Sequence, residues 1–274
     1  MFKRLSLALL SALLLAGAAH AQVGADLNIS PKRVVFEPGE RSATVYIFNQ
    51  GDREATYTIE MVDRVMLPDG QIVAAADLPG AKVASAGDLI QYTPRRVTLK
   101  PRESQSIRVR ARPAGDGGAE RRVHLTVTAL PSEDAGFTVE QAVKPGANEV
   151  AVQVVALFSV SIPVILREGP VDARAAIENL NVKPIDGADI LMLDLVRVGA
   201  NSVYGDIEVR TGKGSGDKLL TVVRGVAVYP EIGRRAVTIR LPARLAAGDR
   251  LTIVYRDDDA HPGDALATAT LVTP

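Results

Sequence analysis

Apolar and polar residues alternate along much of this chain, and the alternation is longest between Val150 and Ile162. Val150, Val152, Val154, Ala156, Phe158, Val160 and Ile162 are all apolar, while the residues between them are mixed. Side chains on a strand point to opposite faces with a period of two, so these positions share one face. Such a strand exceeds the usual length of about five or six residues. It predicts either the spine of a sandwich or an edge that offers apolar side chains to a partner.

Shorter segments rich in Val, Ile and Thr recur on both sides of it, separated by Gly, Pro, Asn and Asp. The pattern predicts strands at Ala25–Ser30, Arg33–Phe36, Ser42–Asn49, Ala55–Val62, Val97–Lys100, Ser106–Ala111, Val123–Ala129 and Val150–Arg167. After Glu168-Gly169-Pro170 a second set is predicted at Ala176–Val182, Ile190–Val198, Gly205–Arg210, Leu219–Val228, Arg235–Leu241, Leu251–Tyr255 and Ala265–Val272. Asn49-Gln50-Gly51-Asp52 and Pro68-Asp69-Gly70 carry turn chemistry, because Asn and Gly tolerate the dihedrals that turns require. Pro131–Gly146 has no regular period and predicts a long surface loop. Short strands with turns at this spacing predict an all-β fold of two sandwiches, 22–168 and 169–274, with almost no helix.

The N-terminus changes the picture of where the protein works. Lys3 and Arg4 precede the apolar stretch Leu5–Ala18, and Ala19-His20-Ala21 is a small-x-small cleavage site. This predicts a secretory signal, residues 1–21, cleaved after Ala21. The stretch is shorter than the roughly 20 apolar residues that a spanning helix needs. The rest of the chain is expected to be exported and soluble. It contains no cysteine, so the fold is held without disulfides and offers no thiol nucleophile or Cys-based metal site. The formal net charge is zero, which argues against a nucleic-acid partner. Tryptophan is absent and aromatics are few, so platforms for stacking sugars or bases are poorly supplied.

Candidate chemistry is sparse. His124 lies in an alternating strand and His261 in a turn, and neither has a second His at metal-ligand spacing. Asp257-Asp258-Asp259 lacks a Gly-containing loop with ligands at alternating positions and reads as a solvated turn. There is no Gly-x-Ser-x-Gly elbow, phosphate loop or dinucleotide fingerprint. The expectation is a protein that is not an enzyme, with no cofactor, no metal and no small-molecule substrate. What remains is the alternating strand and three arginines, Arg33, Arg108 and Arg167. An arginine aimed into a cleft can grip a carboxylate in bidentate fashion.

Several segments together resemble the periplasmic pilus chaperones, the PapD-like partners of chaperone–usher secretion. Lys32-Arg33-Val34-Val35-Phe36 looks like that family's opening strand, and Ser42–Asn49 like its second strand with the terminal Asn. Leu99-Lys100-Pro101 followed by Gln105-Ser106-Ile107-Arg108-Val109 is similar to its Leu-x-Pro and Gln-x-(Val/Ile)-Arg pattern. Glu120 leading into Arg121–Ala129 and Leu130-Pro131 resembles its sixth strand, and Val150–Arg167 its donor strand. The likeness spans the chain after the signal, and it is specific in the first sandwich and weak in the second.

The resemblance implies two immunoglobulin-like sandwiches arranged in an L. It implies a donor strand that lends Val154, Ala156, Phe158 and Val160 to a pilin subunit lacking its own last strand. The partners it implies are pilin subunits and an outer-membrane usher in the periplasm, with a second, self-capping copy of the chain left open. Arg33 matches the first of two cleft cations that hold the subunit's terminal carboxylate. The second, a lysine in the family, falls on Pro163, and Ser161-Ile162-Pro163-Val164 looks like the archaic branch. Pro163 is expected to interrupt the strand ladder, since it lacks a backbone donor. Either another cation then serves, with Arg108 as the candidate, or Arg33 works alone and the carboxylate is held differently. Arg167 and Glu120 match an interdomain salt bridge, with Asp257 as its expected third partner. The competing reading is a secreted two-domain β-sandwich that acts as a structural or adhesive surface protein. A secreted hydrolase on a β scaffold is poorly supported.

Overall fold

The alternating segments fold as strands that bury one face each. A computed structural model of the chain describes residues 27–115, 120–131, 157–212 and 218–273. The first sandwich has a four-stranded sheet of β1 (Leu27–Ser30), β3 (Ser42–Asn49), β9 (Ser104–Ala111) and β7 (Ile90–Thr93), in that spatial order. Facing it is a five-stranded sheet in the order β2 (Val34–Phe36), β11 (Phe158–Leu166), β10 (Arg121–Ala129), β4 (Ala55–Val62) and β8 (Arg96–Leu99). A short hairpin, β5 (Arg64–Met66) and β6 (Ile72–Ala74), stands apart from both sheets.

The second sandwich pairs β12 (Ala175–Ile185), β13 (Ala188–Arg197) and β16 (Arg234–Arg240) in one sheet. The other holds β15 (Lys218–Val228), β14 (Val203–Thr211), β17 (Arg250–Asp257) and β18 (Ala265–Val272) in that order. Among the described residues the only helical turns are Ala75–Asp77 and Gly87–Leu89. The fold is all-β, as the alternation predicts.

Each sandwich has its own core. Val45, Ile47, Ile107 and Val109 from the first sheet meet Val123, Leu125, Val127, Ile162 and Val164 from the second, all buried. Leu191, Leu193, Leu195, Ile207, Val209, Leu251 and Ile253 form the equivalent layer in the second sandwich. The expected turns are present. Asn49 Oδ1 accepts the Gly51 N–H at 3.0 Å, and the Asn49 amide nitrogen donates to the carbonyls of Arg53, Leu99 and Lys100.

The described part of the long alternating strand forms part of the sandwich and leaves one stretch of its outer edge without a partner strand among the described residues. Residues 150–156, with Val154 and Ala156 of the expected donor face, lie outside the described residues. From Phe158, β11 pairs antiparallel with β10 along its whole length, Phe158 opposite Ala129 and Leu166 opposite Arg121. Ile162, Val164 and Leu166 enter the protein's own core, Val160 packs against that core, and Phe158 is 39% exposed. On its other side β11 meets β2, in parallel, only at Val164–Leu166. From Phe158 to Pro163 that edge has no partner strand among the described residues.

Pro163 does not break the ladder. The register runs through Pro163 opposite His124 with no shift. An antiparallel ladder on one side uses the N–H of only every other residue, so a proline can sit in such a strand without a bulge.

Candidate functional site

Where β2 and β11 end, their last residues bring charge to the face that meets the second sandwich. Arg167 follows β11 and its side chain is fully buried. Nε donates to Glu120 Oε2 at 3.0 Å, Nη1 to Glu37 Oε1 at 2.9 Å and Nη2 to Asp259 Oδ2 at 2.6 Å. Glu120 Oε2 also accepts the Ser202 backbone N–H at 3.2 Å. Glu120 and Arg167 belong to the first sandwich, so it is Asp259 and Ser202 that carry the network into the second. Burial disfavours the charge on Arg167, and Glu120 and Asp259 more than offset it, so the guanidinium is held above its ordinary value.

The expected third partner needs correcting: it is Asp259, with Glu37 as a fourth, and not Asp257. Asp257 is the last residue of β17 and is buried, but its carboxylate turns inward on its own loop. It accepts the N–H of Asp259 at 3.1 Å and of His261 at 2.6 Å. This is the local turn bonding that aspartate favours. Asp257 therefore builds the turn, and the turn presents Asp259 to the arginines.

Arg33 immediately precedes β2, and because Val34 lies beside Val164, it sits next to Pro163. Its Nη2 donates to Asp259 Oδ2 at 2.7 Å and approaches Ser202 Oγ at 3.5 Å. Its guanidinium lies 4.7 Å from the centre of the Tyr204 ring. The side chain is only 10% exposed, yet Nε and Nη1 are buried without a hydrogen-bond partner. Buried donors left open in this way are uncommon and cost free energy. Arg33 thus shares Asp259 with Arg167 and holds two further donors buried without a partner.

Arg108 is not part of this site. It lies on β9 in the opposite sheet, exposed, between the inward-facing Ile107 and Val109, with Thr44 and Thr93 as its cross-strand neighbours. The period of two that buries its neighbours turns Arg108 outward, so it cannot supply the second cation beside Arg33.

A second cluster escaped sequence reading altogether. Arg122 and His124 project from β10 on the face opposite the core and are nevertheless buried, because the second sandwich covers that face. Arg122 Nη2 donates to Glu231 Oε1 at 2.5 Å and to the Arg64 carbonyl at 2.9 Å, and its guanidinium stacks 3.6 Å from the centre of the Tyr229 ring. The His124 ring meets Tyr229 edge-on at 6.4 Å. Burial, and then the positive charges of Arg122 and Arg64, lower the His124 pKa from 6.5 to about 3.

That depression makes a pH prediction. The unfolded chain takes up a proton at His124 as pH falls below 6.5, whereas the folded protein resists until about pH 3. Stability is therefore lost on acidification through this window, with a slope of up to about 1.4 kcal/mol per pH unit from this one group. Urea unfolding between pH 7 and 5 should show the loss in the wild type, and His124→Gln should remove it. Equal slopes in the two proteins would contradict the assignment.

No family model matches the chain, and no curated protein matches it. Among solved structures, it is similar to the CsuC–CsuE chaperone–tip adhesion subunit pre-assembly complex from archaic Csu pili of Acinetobacter baumannii. Identity there is 14% over 90% of this chain and 99% of that one, with a TM-score of 0.46. The Pseudomonas aeruginosa CupB2 chaperone is 12% identical over 90% of this chain and 100% of that one, with a TM-score of 0.44. The E. coli chaperone DraB is 14% identical over 90% of this chain and 96% of that one, with a TM-score of 0.42. At such identities the function has to be read from the residues of the site itself.

Proposed function

We propose that this protein is a periplasmic chaperone for pilin subunits, which it stabilises by lending them a strand and hands on to an outer-membrane usher. The observation that carries the proposal is the open edge of β11. From Phe158 to Pro163 its outer main-chain groups face no other described strand, and Phe158 stands exposed on the face that continues outward from the core. An exposed edge of this kind attracts an added strand. In β-augmentation main-chain hydrogen bonds supply affinity, and pockets for alternate side chains supply register. The first sandwich anchors the lent strand through Ile162, Val164 and Leu166, so the strand can be offered without loosening the core. Val160, Ala156 and Val154 extend the same face in sequence.

Arg33 fits the end of such a groove. Its two unpaired donors, beside Tyr204 and next to Pro163, suit a carboxylate, but they are buried, so a ligand reaches them only when the junction with the second sandwich opens; the subunit's C-terminus is the ligand we assign to Arg33. A charge-assisted pair contributes about 1.5–3 kcal/mol. The test is co-expression of the full chain with a candidate pilin subunit, followed by affinity measurement. The subunit should be recovered soluble only with the chaperone. Arg33→Ala should weaken binding by roughly 10- to 100-fold. Arg33→Lys, which keeps a charge for Asp259 but not the planar fork, should fall between. Arg108→Ala should bind as the wild type does. If Arg33→Ala binds as tightly as the wild type, the carboxylate clamp is wrong and the strand alone carries recognition. If no subunit is stabilised at all, the chaperone reading is wrong.

A further inference from the structure

The hairpin β5–β6 has no part in the function proposed above, yet its contacts are unusually specific. It leaves the first sandwich after β4 and ends on the second. At the end of β5 nearest the turn, the Met66 N–H donates to Glu231 Oε1 at 2.7 Å, the same oxygen that takes Arg122 Nη2. At its tip the Pro68 carbonyl accepts the Ala236 N–H at 2.8 Å. Ala236 lies on β16, the outermost strand of its sheet, so the tip occupies part of a free sheet edge. The Met66 side chain packs with Ile165 of β11 and with Ala227 and Tyr229 of the second sandwich in a small buried cluster separate from both main cores.

The tip is fitted to one residue type. Gly70 has φ +88°, and a Cβ there would lie 2.2 Å from Arg235 Nε. Arg235 cannot swing freely away, since its Nη1 donates to the Ala227 carbonyl at 3.0 Å. The Leu67 carbonyl accepts the Gly70 N–H at 2.8 Å and closes the turn.

We infer that this hairpin is a strap that locks the second sandwich against the outer face of the β10–β11 sheet. The Arg167 cluster grips the turn after β17 and Ser202. The strap grips a different turn, at Glu231, and the edge of β16. One attachment leaves rotation free, whereas two on different elements fix an orientation. The strap residues are positioning residues for the cleft that holds Arg33, and this consequence alone rests on the proposed function.

The absence of cysteine makes the test clean. Cysteines introduced at Thr44 and Thr268, exposed positions on the two sandwiches, accept a pair of spin labels on the full chain without background. The otherwise unaltered protein should give a single narrow distance distribution. Met66→Pro, which removes the N–H that Glu231 accepts and leaves Arg122 its partner, should broaden it about twofold, and Gly70→Leu should broaden it further. An unchanged width in Met66→Pro and in folded Gly70→Leu protein would overturn the strap. If Gly70→Leu fails to fold, the width in Met66→Pro decides alone. Broadening supports the strap whatever subunit binding does. Subunit binding by the same variants is scored separately, so a failure of the chaperone reading cannot be mistaken for a failure of the strap.

Discussion

Arg167→Ala should destabilise the protein by about 3–5 kcal/mol, the usual result of removing one partner from a buried ion pair. The reason lies in what is left behind. Asp259 keeps Arg33 at 2.7 Å, and Glu37 is partly exposed and can turn to water. Glu120 has neither escape. Its side chain is 1% exposed, Oε1 has no hydrogen-bond partner, and without Arg167 its only remaining described contact is the Ser202 N–H. The cost is therefore that of a stranded carboxylate rather than of a lost attraction. Two measurements separate these. Urea unfolding of Arg167→Ala should show the full loss, and Arg167→Met combined with Glu120→Gln should recover part of it, because the orphaned charge is gone. A double variant that is as unstable as the sum of the two single changes would show that the pair acts through packing and not through charge. The same change should also loosen the junction, since Arg167 is bonded to both sandwiches at once.

Phe158→Asp should abolish subunit capture while leaving the chaperone folded. Phe158 is 39% exposed, and its partner across the ladder is Ala129 at the far end of β10. A carboxylate here meets water in the free protein, so the fold bears little cost. In a complex the same carboxylate would enter an apolar groove without a partner, at a cost of about 2–3 kcal/mol, or on the order of a 100-fold loss of affinity. Ile162→Asp is the contrasting variant. Ile162 is 2% exposed and belongs to the chaperone's own core, so that change should prevent folding. Circular dichroism and co-purification together tell the two apart. A folded Phe158→Asp protein that still captures subunit would place the lent surface elsewhere, and an unfolded one would make Phe158 a core residue.

The two predictions concern β11 and the residue that follows it, and β11 is paired on both sides in one part and on one side in the other, which marks where sequence reading stopped. Alternation identified the strand over its described part, Phe158 to Ile162, since the period of two is imposed by backbone geometry and needs no partner to be visible. It could not say where core ends and edge begins. That boundary is set by β2, which pairs with only Val164–Leu166 and leaves Phe158–Pro163 without a partner on that side among the described residues. The strand order across a sheet is a long-range property, and nothing local in Val34-Val35-Phe36 shows that it stops there. The hairpin was missed for a related reason. Arg64–Met66 and Ile72–Ala74 are three-residue strands, too short for a period, and only the turn Pro68-Asp69-Gly70 between them carried a signal.

The charged residues divide in the same way. That Arg167 and Glu120 meet was legible through a resemblance, and the structure places them 3.0 Å apart. Which aspartate joins them was not legible. Asp257, Asp258 and Asp259 are chemically identical neighbours, and the choice falls to the turn that Asp257 folds around its own carboxylate. Arg108 looked as eligible as Arg33 in one dimension. Strand parity turned it to solvent on the opposite sheet, while Arg33 was drawn under the second sandwich. Arg122 and His124 carried no signal at all, since an outward position on β10 is ordinarily exposed and becomes buried only because another domain lies on it. The sequence by itself determined most of the strands, the two cores and the turns, because these follow from local periodicity and backbone preference; the three- and four-residue strands β5, β6 and β7 were too short to show a period. The tertiary structure alone decided which side chains share the junction, because burial there is created by the way the second domain lies on the first, which no local pattern announces.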